Sequence, residues 1–389
     1  MAQLSRNLKM GMVGGGPGAF IGEVHRKASR MDGGIELVAG AFDINPRKSK
    51  QMGRHLNIDP KRAYKTYEDM IEGELRRPEG ERIDFVSITT PNNWHFPIAK
   101  AFLEAGFHVL CEKPMTFNTG EARQLRKIVK KSRRVFALTH NYTGYPMVKL
   151  AKDMVRQGEL GTIRKIVVQY PQGWLAHEIH CQQADWRTDP KQSGAGGCIG
   201  DIGTHAENLA EYMTGLRITE VCADLSSFVK GRKLDDDANV LLHFQKGVKG
   251  ILHASQISIG EENNLAIWIY GDQKGLEWHQ EHPNSLYVKP QNGPEEIWKR
   301  GNDYIGSQSP AAARATRLPA GHPEAFIEAF ANIYCNAADT IRARIQRKRP
   351  DPLALDFPTV DDGLRGMLFI ETVVKSARSR QKWVKMPKA

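Results

Sequence analysis

Met12-Val13-Gly14-Gly15-Gly16-Pro17-Gly18-Ala19-Phe20 is the stretch that decides how the first half of this 389-residue chain is read. An apolar run, Asn7 to Val13, leads directly into glycines, and a pattern with helical periodicity, Phe20 to Arg30, leads out of them. The spacing is G-x-G-x-x-A. Gly14 permits a tight turn, Gly16 lets a backbone approach a phosphate with no Cβ in the way, and Ala19 keeps the helix near the strand. Pro17, Gly18 and Phe20 complete the turn and open a helix whose first N–H groups and positive dipole end face an anion.

Working outward, the next strand pattern, Ile35–Phe42, ends at Asp43, roughly 20 residues beyond the turn, where a carboxylate suits a ribose 2′-hydroxyl. Strand, glycine turn, helix and acid together read as a dinucleotide site. Asp43 repels a 2′-phosphate and favours NAD, whereas Arg47 and Lys48 just after it could hold one, so NADP stays open. Helix patterns at Pro46–Leu56 (capped by Asn45), Tyr67–Leu75, Pro97–Ala105 and Thr119–Lys131 alternate with apolar strands at Ile83–Ile88, Phe107–Cys111 and Val135–Leu138. Such alternation predicts parallel βαβ units in a doubly wound sheet, buried on both faces.

Beyond about residue 160 the rhythm changes to consecutive strands: Ile163–Tyr170, Glu220–Phe228, Ala238–Phe244, Gly250–Ile257, Ala266–Tyr270, Leu276–Gln280 and Leu286–Val288. Turn residues at 245–247, 271–275 and 283–285 separate several of them, which predicts antiparallel hairpins. Late helices are read at Pro323–Ile345 and Val360–Arg378. The expected organisation is α/β: a Rossmann domain over 1–140, then an α+β domain over 141–389 on a mostly antiparallel open sheet, with a C-terminal helix able to pack back on the first domain.

Composition narrows the functional class. Five scattered cysteines without a CxxC pair argue against a disulfide framework or a cysteine-built zinc site, and no histidine spacing of the HExxH kind suggests a metal. No apolar run is long enough to span a bilayer, and Met1–Met10 lacks a secretory apolar core, so a cytoplasmic protein is expected. The net charge of +11 lies in short basic stretches such as Lys130–Arg134 without interleaved aromatics, which does not favour nucleic acid.

Two further patterns carry chemistry. The strand ending at Cys111 continues as Glu112-Lys113-Pro114, and the neighbouring strand ends in Thr89-Thr90-Pro91-Asn92-Asn93-Trp94-His95. Ligands bind at the carboxyl ends of strands in open α/β sheets, which puts Lys113 where a nicotinamide ring would lie. In the second half, Gly194–Gly197 leads to Asp201-Ile-Gly203-Thr204-His205. On a helix, residues four apart share a face, and a carboxylate beside an imidazole orients it and raises its basicity. Loss of hydride from a carbinol carbon needs a base for the hydroxyl proton, so an acid–imidazole pair suits a dehydrogenase.

With the Gly14–Ala19 turn, Thr90-Pro91-Asn92 with His95, Glu112-Lys113-Pro114, Trp186-Arg187 and the Gly196–His205 stretch on the page, the chain resembles the glucose–fructose oxidoreductase / inositol dehydrogenase / rhizopine catabolism (Gfo/Idh/MocA) family over roughly residues 8–270. The resemblance implies an NAD(P)-dependent oxidoreductase of sugars, sugar derivatives or cyclitols. It implies a homodimer or homotetramer built through the C-terminal sheet. It makes Lys113, Asp201 and His205 the catalytic trio: His205 as base, Asp201 as its orienting group, Lys113 as electrophile on the reacting oxygen. It also places Thr90, Pro91, Asn92, His95, Glu112, Asn141, Trp186 and Arg187 toward the cofactor. Asn208 stands where many members carry an acid. For gripping a polyol, Asn141, Tyr142 and His322 come first, with His140, Trp174 and His180 beside them. Two alternatives remain at this point: a closed-cycle oxidoreductase that retains its nicotinamide, and a non-catalytic nucleotide sensor.

Overall fold

β1 (Leu8–Gly14) has Leu8, Met10 and Met12 fully buried, and it is the second strand of a five-stranded parallel sheet. With β2 (Ile35–Ala41), β3 (Phe85–Thr89), β4 (His108–Cys111) and β5 (Phe136–Leu138) the order is β2-β1-β3-β4-β5. An isolated parallel bridge from Gly40 to Ala63 extends the β2 edge. Every residue of β3, β4 and β5 is buried, as strands covered on both faces require. This is the parallel Rossmann sheet that the alternating pattern predicts. The Asn45 cap is present, its Oδ1 accepting from the Arg47 and Lys48 amides. The helix read from Pro97 starts at His95, because a 3-10 turn over Asn92–Trp94 runs directly into it.

The computed structural model describes residues 6–389; the first five positions of the expected first domain, and that part of the polar N-terminus, lie outside the described residues. The chain forms two units, one of the residues through Thr139 with Phe330–Leu364, the other of His140–Ala329 with Arg365–Ala389. Phe330–Leu364 thus stands with the first unit.

The second unit is built on a nine-stranded sheet: β6 (Lys165–Pro171), β7 (Ile218–Ser226), β8 (Asp237–Phe244), β9 (Lys249–Ser255), β10 (Ala266–Tyr270), β11 (Lys274–His279), β12 (Ser285–Pro290), β13 (Glu296–Lys299) and β14 (Val384–Lys385). Their order is β13-β12-β11-β10-β6-β9-β8-β7-β14. All neighbours are antiparallel except β6 and β9. One face (Ile166, Val168, Val240, Leu252, Ile267) is buried; helices Pro146–Arg156 and Thr204–Thr214 pack on that side. β13 escapes sequence reading because it is a short, exposed edge strand without apolar alternation. The late helix begins at Phe326 and not at Pro323, because Glu324 is drawn inward to Arg300 Nη1 at 2.7 Å. No helix among the described residues is long and apolar enough to cross a membrane.

Candidate active site

The glycine turn is shaped by what its missing side chains would hit. Gly14 has φ +87°, and a Cβ there would lie 2.8 Å from the Thr89 carbonyl; on Gly16 it would lie 2.7 Å from Phe42 O and 3.1 Å from Asp43 Oδ2. The helix Phe20–Arg30 starts without a side-chain cap, leaving its first amides for a ligand. Asp43 is pinned beside the turn, its Oδ1 accepting from the Asn45 amide at 2.8 Å. Gly22 also brings the helix close to the turn, since a Cβ there would fall 2.3 Å from Gly15 Cα. Arg26, buried behind the turn, donates to Gly15 O at 2.8 Å, and burial lowers its pKa. Gly16, Pro17, Gly18, Ala19 and Phe20 edge an open groove of 660 Å³ that continues between this helix and Pro46–His55. Arg47 engages through its amide, and its side chain is exposed.

At the neighbouring strand ends, the residues divide between rim and support. Thr90 Oγ1 and Asn93 Oδ1 are buried with no partner among the described residues, so each has a hydrogen bond to offer a ligand. Pro91 precedes the turn that contains buried Asn92. His95 is fully buried, with Nδ1 2.8 Å from Pro114 O and Nε2 2.9 Å from Thr90 O, and burial lowers its pKa. It therefore ties the two strand ends together from beneath. Glu112 supports its strand end from within. Its Oε1 turns inward to His25 Nε2 at 2.8 Å and takes the Thr139 hydroxyl. Beyond it, His25 Nδ1 meets Tyr334 OH at 2.7 Å, and Tyr334 OH meets Ser87 Oγ at 2.8 Å. Burial alone raises the Glu112 carboxyl, but the His25 hydrogen bond and charge, with Lys113 and Thr139, outweigh it and hold Glu112 below the ordinary carboxylate range. Lys113, partly exposed, follows on a cis Lys113–Pro114 bond.

In the second unit, a π turn over Ile199–Gly203 opens into the helix Thr204–Thr214 and carries both Asp201 and His205. Asp235 clamps its start, accepting from the Gly197 amide at 2.6 Å and the Ile199 amide at 2.8 Å; Gly197 has no room for a Cβ, which would lie 2.1 Å from Asp235 O. Asp201 Oδ2 accepts from Arg187 Nε at 3.1 Å and Gln256 Nε2 at 2.9 Å. The Arg187 guanidinium lies 4.3 Å from the Trp186 ring centroid and 5.9 Å from that of Trp174. His205, buried, is ringed by aromatic edges: Tyr142 at 4.8 Å, His140 at 5.2 Å and Tyr170 at 6.3 Å between centroids. Tyr142 and Tyr170 share a hydroxyl contact, and Tyr170 OH donates to Asn263 Oδ1 at 2.7 Å. Burial, then Tyr142, pushes the Tyr170 phenol well above its ordinary range, so it stays a neutral donor.

The fold therefore gathers Tyr142 and His140 around His205, and Arg187 onto Asp201, with Trp186 beneath it. Asn141 lies next to this group with its Nδ2 buried and unpartnered. Asn208, the departure from the usual acid, has a buried Oδ1 without a partner. Two expected substrate residues stand elsewhere. His180 is exposed between Glu178 at 3.6 Å and Asp185 at 3.7 Å, and it lines a separate 360 Å³ hollow with Lys230 and Arg232. His322 lies on an exposed turn, its carbonyl gripped by Arg300. Neither ring contacts His205. Sequence reasoning missed Gln256 and Asn263, polar residues just outside strand ends, and His25, a polar residue on the apolar face of a helix.

The profile described as an oxidoreductase family with an NAD-binding Rossmann fold matches residues 8–140, and that of the GFO/IDH/MocA C-terminal domain matches 148–277. An uncharacterised oxidoreductase of Bacillus subtilis, YfiI, is 35% identical over 98% of this chain and 97% of its own length. The chain belongs to the GFO/IDH/MocA oxidoreductase family. An inositol dehydrogenase homologue from Azotobacter vinelandii, solved with NAD+, superposes with a TM-score of 0.93 at 36% identity, covering 98% of each chain. The same homologue, solved with NADH and myo-inositol, has a TM-score of 0.90 at 36% identity over 98% of each chain. A levoglucosan dehydrogenase from Pseudarthrobacter phenanthrenivorans is 26% identical over 98% of this chain and 99% of its own. The first unit is thus the NAD-binding Rossmann domain of an oxidoreductase, and the open helix start, the Gly16 approach and the orphaned Thr90 and Asn93 groups fit a dinucleotide.

Proposed function

We propose that this protein is an NAD-dependent dehydrogenase that oxidises a secondary hydroxyl carbon of a cyclic polyol, a cyclitol or a sugar derivative. The observation that carries the reading is the buried His205, set among aromatic edges and hydroxyl groups beside an Asp201 already neutralised by Arg187. A polyol ring needs apolar surface to lie on and fixed polar groups to select its hydroxyls, and Tyr142, Tyr170, Asn263 and Trp174 are of those kinds. The names of the relatives, which include inositol and levoglucosan dehydrogenases, support the same substrate class.

Bound NAD supplies the hydride acceptor. The protein's residues then have distinct tasks. The Gly14–Phe20 turn holds phosphates on the helix amides. Asp43 takes the ribose hydroxyls, which favours NAD over NADP. In the first unit Thr90 and Asn93 orient the nicotinamide end and Lys113 supplies the electrophilic charge; in the second, Asn141 supplies an amide and His205 takes the hydroxyl proton. Asp201 with Arg187 fixes the turn on which His205 rides. The outer face of the large sheet, where Leu241, Ile251, Tyr270 and Ile297 are exposed, is assigned to a second copy of the chain. Reduced, separated cysteines are consistent with a cytoplasmic setting.

The test is a panel of inositols, anhydrosugars and pyranosides assayed by NADH absorbance, with NADP run in parallel. The reading predicts NAD-dependent turnover of a cyclic polyol and slower turnover with NADP. Intact NAD binding with no turnover across the panel would contradict it.

A further inference from the structure

His140 Nδ1 lies 3.4 Å from His205 Nδ1, with the rings nearly perpendicular at 88° and both residues buried. Two imidazole nitrogens in hydrogen-bond contact cannot both carry a proton, and they cannot both present lone pairs without repulsion. One donates and the other accepts, and which does so sets the tautomer of both rings. A general base must offer a lone pair at the nitrogen that meets the substrate. If His205 receives the hydroxyl proton at Nε2, its proton must sit on Nδ1 beforehand. His140 must then accept at Nδ1 and carry its own proton on Nε2. An isolated neutral imidazole prefers the opposite form, with the proton on Nε2, so something has to hold the less favoured one in place.

We infer that His140 is the positioning residue that fixes His205 as the Nδ1–H tautomer and shares the positive charge His205 acquires during turnover. This rests on the reading of His205 as the base, and it gives His140 a part of the orienting role that spacing assigned to Asp201. Asp201 is bonded to Arg187 and Gln256. Titratable or charged groups set around His205 in this unit include Tyr142 just after His140, Tyr170 on β6, and Asp201 with Arg187 on and beside its own turn. Tyr170 is kept neutral by burial, whereas the second imidazole, in hydrogen-bond contact with His205, can take up and spread a proton. The proton count closes: one proton leaves the substrate hydroxyl, one is held across the His205–His140 pair, and one is released when the pair returns to its neutral state.

The test is 15N NMR of the full-length protein with 15N-labelled histidine and saturating NAD, His205 being assigned by its absence in His205→Gln. The wild type is expected to show His205 protonated at Nδ1. His140→Asn, whose side-chain oxygen stands near the old Nδ1 position, should keep that tautomer, and His140→Leu should lose it. In kinetics with myo-inositol or levoglucosan, His140→Leu is expected to lower kcat by about tenfold or more and to move the acid limb of the pH profile to lower pH, with NAD affinity unchanged. His140→Asn should restore most of the rate. An Nε2–H tautomer in the wild type, or identical tautomers in wild type and His140→Leu, overturns the inference. A fully active His205→Gln would instead overturn the base assignment it rests on, so the two failures are distinguishable.

Discussion

A methyl group added at Gly16 would lie within 2.7 Å of Phe42 O and 3.1 Å of Asp43 Oδ2, so Gly16→Ala must push the end of β2 away from the turn or block the phosphate. We expect the Kd for NADH, measured by fluorescence, to rise about tenfold, equivalent to about 1.4 kcal/mol; unchanged affinity would contradict the proposed cradle. Replacing the acting groups should do the reverse. His205→Gln and Lys113→Met are expected to lower kcat by roughly 10²–10⁴, a loss far larger than any change in NAD affinity. At this scale much was legible, because glycines, a lysine at a strand end and an acid–histidine spacing have local reasons to be where they are. Gln256, Asn263, Tyr334 and His140's partnership with His205 were not, since each acquires its meaning from a residue far along the chain. Glu112 and His95 were legible as strand-end residues, but their partners His25, Pro114 and Thr90, which set their side chains, were not.

The strand-end element that presents Lys113 stands on the buried chain Glu112–His25–Tyr334–Ser87. Because Glu112 is held below its ordinary value of 4.5, the folded state binds its proton less readily than the unfolded state does. Its stabilising contribution is then fully present above that value and is lost as pH falls through the lower folded value. Glu112→Gln should therefore cost about 1–3 kcal/mol at neutral pH, and the Tm gap from wild type should close below about pH 4.5; a gap that widens on acidification would rule out an ionised Glu112. The π turn before His205 is a second lesson at this scale. Helical spacing put Asp201 and His205 on one helix, whereas Asp201 stands in a wider π turn, clamped by Asp235 from the segment before β8, and His205 in the helix that follows it. The strands of the parallel sheet and the helices between them were read nearly to the residue, whereas the amphipathic helix Pro146–Arg156 went unread and the exposed edge strand Glu296–Lys299 left no pattern to read.

At the scale of the whole molecule, the alternating βαβ rhythm and the later run of hairpins were enough to separate a parallel from a mostly antiparallel sheet. They could not show that Phe330–Leu364 belongs with the first unit, because tertiary packing alone decides which sheet a late helix joins. The exposed apolar side of the nine-stranded sheet leads to an assembly prediction. Ile251→Lys with Tyr270→Glu should convert an oligomer to monomer by light scattering while leaving the Tm little changed, and a wild type already monomeric at working concentration would rule out the assigned interface. The central claim, that hydride passes from a polyol carbon to NAD on this scaffold, is tested most directly by isotope. The protein is incubated with NAD+ and a carbon-deuterated cyclic polyol in ordinary water, and the cofactor is examined by mass spectrometry. The account predicts reduced cofactor carrying deuterium, formed far more slowly by His205→Gln; reduced cofactor bearing only solvent hydrogen, or none formed with any polyol, would contradict it.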